Sequence, residues 1–305
     1  MNDGHQTTGT DLFEIWLQYV EQFSELFEHG RQLPVVARAP ASASQSLPLR
    51  SGRHTVVICS PHPDDEALSG ALPLRLQGED TRVLNLAMTL GSNPVRQKQR
   101  QAELAAACRV LGFDCRLVCE PLAFSNITLA GEADDIHVRQ ERIDILTGHF
   151  NRELPELILF PHGRDNHPAH EEVHRLALAA ARQHSEIHNR KMLLAETEYW
   201  HPLSDPNLLL GLAPATIARL ITALLCHQGE IARNPYHLSL PARLLDNVRR
   251  GTEIMRYGDR SPQFPFAEIY RLSWLENGRL QPTKRGMALT IPPEDKLTLK
   301  KLQAL

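Results

Sequence analysis

The chain of 305 residues has little cysteine, no basic surplus and no long apolar run, and each shortage removes a class of protein. Its five cysteines, Cys59, Cys108, Cys115, Cys119 and Cys226, are odd in number and scattered, which fits free thiols in a reducing compartment and not a disulfide framework. A formal charge of −3 argues against a protein that coats nucleic acid. The most apolar late stretch, Leu208 to Cys226, is interrupted by Pro214 and Arg219, so it offers no transmembrane span. The polar start, Met1 to Thr10, lacks the basic and apolar regions that export requires, and a cytoplasmic protein is expected.

What is present is alternation. Leu12, Ile15, Trp16, Val20, Phe23 and Phe27 recur at helical spacing behind Asp11, and a stretch rich in Pro, Ala and Ser follows from 34 to 52. This predicts an N-terminal helix and arm over 1–52, attached to a main domain over 53–275, with a C-terminal tail over 276–305. Within the main domain, strands are expected at 55–59, 82–88, 116–119, 157–160 and 192–200. Helices fall at 66–76 (kinked at Pro73), 94–111, 134–150 and 168–181. Further helices over 214–232 and 241–256 precede a late strand at 267–274. Strands alternating with helices predict an α/β fold: a Rossmann-like, mostly parallel sheet with helices on both faces, plus the N-terminal helix and a helical C-terminal region.

Open α/β sheets bind ligands outside the carboxyl ends of their strands. Two strand ends here carry metal-ligand chemistry: Pro61-His62-Pro63-Asp64-Asp65-Glu66, and the run from Pro161 through His162, Asp165 and His167 to Pro168-Ala169-His170. Imidazole with carboxylate suits a catalytic zinc with an open water position, although iron or another divalent ion fits the same donors. Pro63 holds His62 extended, and the successive Asp64 and Asp65 point different ways, one toward a metal and one toward its water. The helix dipole offsets their charge.

These two runs resemble the LmbE-like (PIG-L) N-deacetylases. Their signature is His-Pro-Asp-Asp-Glu, here 62–66, paired with a His-Pro-Asp-His type run, here 167–170. Weaker echoes lie at Arg100, Glu103, Leu111-Gly112 and Phe266-Ala267-Glu268. The resemblance implies one zinc per chain on His62, Asp65 and His170, with Asp64 as general base. His167, protonated, would assist the leaving group or the oxyanion. It implies hydrolysis of an N-acetylated amine, a sugar of the N-acetylglucosamine type. Ala169 stands where the family usually has Asp, so any orienting role of that carboxylate is absent or falls to another residue such as Asp165. Phe124-Ser125-Asn126 lies where many members carry an acidic residue.

Arg96 and Arg100, one helical turn apart, are candidate contacts to a polar or anionic substrate, with a solvated helix face as the alternative. Two other functions stay open: a scaffold or binding protein that kept the fold and lost the chemistry, and a zinc protease using His170, Glu171 and His174 of a His-Glu-x-x-His match. The expected partner is a small molecule. The apolar face of the N-terminal helix packs on the main domain or on a second subunit of a homo-oligomer.

Overall fold

The computed structural model describes residues 9–35, 54–78, 80–125, 127, 136–255, 262–283 and 289–304. Met1–Ala37 and Arg38–Leu305 are separate compact units. The first holds the helix Gly9–Gln32, whose Leu12, Trp16, Tyr19, Phe23 and Leu26 recur at spacings of four and three and are exposed. Most of the predicted arm, 36–52, lies outside the described residues.

Among the described residues the second unit is built on nine strands: β1 (His54–Ser60), β2 (Thr81–Ala87), β3 (Asp114–Leu117), β4 (Leu157–Pro161), β5 (Met192–Thr197), β6 (Leu208–Gly211), β7 (Ala267–Glu276), β8 (Arg279–Pro282) and β9 (Leu289–Ile291). Their order is β3-β2-β1-β4-β5-β7-β6-β9, with β8 paired to β7. The five strands from β3 to β5 are parallel, as predicted. In β1, β4 and β5 nearly every residue is buried, the pattern of strands covered on both faces.

Past β5 the sheet changes character. β7 inserts between β5 and β6 and runs antiparallel to both. β6 is a strand that the apolar stretch around it did not announce. Residues after 275, expected as a tail, add β8 and β9 to the sheet and end in the helix Leu299–Gln303.

The helix expected over 66–76 is two, Asp65–Leu68 and Ala71–Leu76. A Cβ on Gly70, between them, would lie 2.2 Å from the carbonyl oxygen of Glu66, so only glycine fits this junction. Pro73 then sits in the first turn of the second helix, where a missing N–H costs nothing. The free N–H groups of Ala71 and Leu72 donate to Glu268 and to the Tyr270 hydroxyl of β7. The helix Pro94–Leu111 is capped by the Asn93 side chain and closed by Gly112 at φ 74°. Where one long helix is expected over 214–232, the chain forms Pro214–Leu224 and Gln228–Ile231, followed by Tyr236–Met255.

From β1 the chain moves outward through β2 to β3, then returns to place β4 and β5 on the other side of β1. The strand order therefore reverses between β1 and β4. That switch point opens the crevice where such sheets hold ligands, and both motif runs leave the sheet there.

Candidate active site

The β1 exit delivers His62, Asp64 and Asp65. The β4 exit delivers His167 at the N-cap of the helix Pro168–His188, and His170 in its first turn. Across the crevice, Nδ1 of His62 and Nε2 of His170 stand 3.1 Å apart. Each is 3.5 Å from Oδ2 of Asp65. Donors about 2.0–2.1 Å from a tetrahedral ion are separated by about 3.3–3.4 Å, so this triangle has the size of a single-ion site.

Two contacts aim the donors. The His62 N–H donates to Oδ2 of Asp65 at 2.8 Å. Nδ1 of His170 lies 2.7 Å from Oδ2 of Asp165, which turns Nε2 toward the triangle. Asp165 thus sets a carboxylate against His170, where Ala169 offers none. Its Oδ1 accepts the N–H groups of Tyr199, Trp200 and His201, tying the β5 exit to the β4 loop. Burial opposes ionisation of Asp165, but His162, His170 and the Tyr199 N–H outweigh it and hold the carboxyl well below the usual range. Asp65 is also held low, the neighbouring His170 and His62 overcoming its burial.

Asp64 points into the same cavity from a backbone at φ 119°, unusual for a side chain with a Cβ. Its N–H donates to Oε2 of Glu66 at 2.9 Å. Burial, then the charges of Asp65 and Glu66, push its pKa well above the carboxylate range.

His167 stacks on Trp200, with centroids 5.9 Å apart and planes 16° from parallel, and its ring centroid is 4.6 Å from that of His170. Burial, then His170 and His62, lower its pKa to about 4. The protonated donor expected from the sequence is therefore a neutral imidazole at pH 7. Among the described residues, His62, His167 and His170 form the one histidine cluster that could hold a metal ion.

His174 faces elsewhere. Its Nδ1 is 3.0 Å from the Pro161 carbonyl oxygen and 3.4 Å from Glu196, and Glu171 accepts the Asn166 N–H. The His170–His174 pair does not converge on one point. Of the two candidate arginines, Arg100 lines the cavity and donates to the Pro63 carbonyl. Arg96 is not among the lining residues; it pairs with Glu230 at 3.2 Å.

The cavity measures about 520 Å³, within the range of small-molecule sites. Sequence reasoning singled out none of Tyr199, Trp200, Glu230, Arg233, Asn234, Tyr236, Ser239 and Arg243 as site residues, although each lines the cavity. It also missed His227, buried against Glu66. Nothing local marks these residues, because each reaches the site from a segment remote in sequence.

Residues 57–181 match the family described as GlcNAc-PI de-N-acetylase, PIG-L. This segment is a PIG-L domain. It holds all three corners of the donor triangle, Asp64 and His167, whereas the wall from Tyr199 to Arg243 lies beyond it. No curated protein matches the chain.

Solved structures of like fold include three of known description. N,N'-diacetylchitobiose deacetylase from Pyrococcus horikoshii has TM-score 0.53 and 15% identity, over 83% of this chain and 92% of that one. The zinc-inhibited form of teicoplanin deacetylase Orf2 has TM-score 0.53 and 16% identity, over 73% and 98%. The 4-carboxy-2-hydroxymuconate hydratase GalB from Pseudomonas putida KT2440 has TM-score 0.54 and 15% identity, over 72% and 95%. At family level the PIG-L domain supports a deacetylase. No described helix is long and apolar enough to cross a membrane.

Proposed function

We propose that this protein is a metal-dependent N-deacetylase that removes acetyl from an N-acetylated amine, with a sugar of the N-acetylglucosamine type as the substrate. The observation that carries this reading is the donor triangle of His62, Asp65 and His170 with Asp64 beside it in one cavity. The PIG-L match and the two deacetylases of like fold support it. Because a hydratase shares that fold, the reaction is argued from the site and not from the architecture.

Two imidazoles and a carboxylate suit zinc, which leaves a fourth position open. When bound there, the ion supplies Lewis-acid chemistry, making water nucleophilic near neutral pH and polarising the acyl oxygen. Asp64, in the cavity beside the donor triangle but not one of its corners, takes the proton of the attacking water. His167, neutral, offers an N–H toward the acyl oxygen as negative charge builds on it. The C–N bond breaks, the water oxygen stays with the acetyl group as acetate, and Asp64 returns the proton to the amine. Trp200, 57% exposed on the cavity wall, presents an apolar face to a sugar ring.

The test is acetate release by the zinc-loaded protein across N-acetylated sugars, glycosides and polyamines. Release above an Asp64→Asn control supports the reading. Release from none of them removes it.

A further inference from the structure

We infer that the cavity wall built by residues 230–243 binds an anionic group of the substrate, a phosphate or a carboxylate, through Arg233 and Arg243. This deepens the proposed deacetylase reading and rests on it for the identity of the reacting end.

The inference begins with one carboxylate shared by three guanidinium groups. Glu230 lies 3.2 Å from Arg96 and 3.6 Å from Arg100, and it also pairs with Arg233. Glu230 itself is 4% exposed and cannot recruit further cations from solvent. Arg96 lies outside the cavity lining, so on the wall itself Arg100 and Arg233 share Glu230, a surplus of one, and Asp64 across the cavity acts on both. Arg243, on the same wall, adds to it. Its nearest acid is Glu268 at 3.8 Å, beyond hydrogen-bond distance, and burial pushes that carboxyl up to about 7, so it offsets Arg243 only in part.

Both arginines can be reached: the side chain of Arg233 is 60% exposed and that of Arg243 25%. Between them in sequence, Tyr236 and Ser239 line the cavity with neutral hydroxyls. Burial, then the charges of Asp64 and Asp65, push the Tyr236 phenol up to about 12, so it stays a donor. Guanidinium groups with hydroxyl donors make up the chemistry that receives phosphate or carboxylate oxygens. All four residues lie C-terminal to the segment that matches the PIG-L family.

The experiment compares kcat/KM of the zinc-loaded full chain for N-acetylglucosamine, N-acetylglucosamine 1-phosphate and N-acetylmuramic acid. At least one anionic substrate is expected to be preferred by about tenfold or more, and the better of the two identifies the anion. Arg233→Gln and Arg243→Gln should each lower that preference by about tenfold, the worth of one hydrogen bond to a charged group. Arg243→Lys should keep part of it, and Arg249→Gln, an exposed control, should keep all of it. Should Arg243→Gln fail to fold, the largely exposed Arg233 still decides. Equal use of the three substrates, or a preference that survives both glutamine variants, overturns the inference.

If no substrate releases acetate, the deacetylase reading has failed separately. Calorimetric binding of the same three sugars then tests the wall alone. Tighter binding of an anionic sugar that the double variant loses keeps the inference, and equal binding overturns it.

Discussion

Nε2 of His227 lies 2.7 Å from Oε1 of Glu66, and both side chains are buried. The other oxygen of Glu66 accepts the Asp64 N–H, so the pair reaches the strained turn that presents Asp64 to the cavity. His227 comes from the segment between the helices Pro214–Leu224 and Gln228–Ile231, 161 residues from Glu66. Leaving Glu66 buried without this partner carries a desolvation penalty of about 1–3 kcal/mol or more. His227→Leu is therefore expected to lower kcat by about tenfold with little change in KM or zinc content. His227→Gln, which can still donate, should recover much of the loss. Equal loss in both variants, or a rise in KM alone, would show that the pair does not position Asp64.

Asp64 touches the cavity without belonging to the donor triangle. Asp64→Asn should keep zinc and lose turnover by about 100-fold or more, the range for a general base. Acetate release and metal analysis on the same preparation check this. Near-normal turnover in zinc-replete protein would exclude Asp64 as the base.

The two metal schemes separate at Asp65 and His174. Asp65→Ala removes a corner of the triangle and should abolish zinc retention after dialysis against a mild chelator. His174 is held by Pro161 and Glu196, so His174→Ala should retain zinc, with at most about a 10- to 100-fold weakening. An empty His174 variant beside a loaded Asp65 variant would favour the protease scheme.

His184 offers a pH test remote from the metal donors. It is fully buried, with Nδ1 2.7 Å from Asn151, and burial followed by His188 and Arg190 lowers its pKa to about 4. Unfolded, it titrates near about 6.5. The folded state thus binds fewer protons between these values, so its contribution is complete above pH 6.5 and is lost as pH falls toward 4. The melting temperature of metal-stripped protein should drop across that window, and less steeply in His184→Gln. An unchanged slope in the variant would remove His184 as a source.

Met1–Ala37 forms a compact unit by itself. A chain lacking residues 1–37 is expected to bind zinc with unchanged stoichiometry. A folded, soluble truncation unable to hold the ion would place this segment within the catalytic unit.

Several features were legible because they are local. Parallel strands buried on both faces must be almost wholly apolar, so β1, β4 and β5 read directly as short hydrophobic runs. The residues at their ends, 61–66 and 161–170, could be placed on one side of the sheet from alternation alone. Other features depend on distant packing. That β7 enters between β5 and β6 is a choice among apolar strands of similar pattern, and side-chain period does not encode it. Asp165 could be named from its loop, but its hold on His170 needs the exit of β5 to donate three N–H groups. His227, Glu230, Arg233 and Arg243 sit on an ordinary helical region whose spacing records only which face is buried. They join the site because the segment 214–255 packs over the switch point, and a contact across more than 100 residues leaves no periodic trace in either partner.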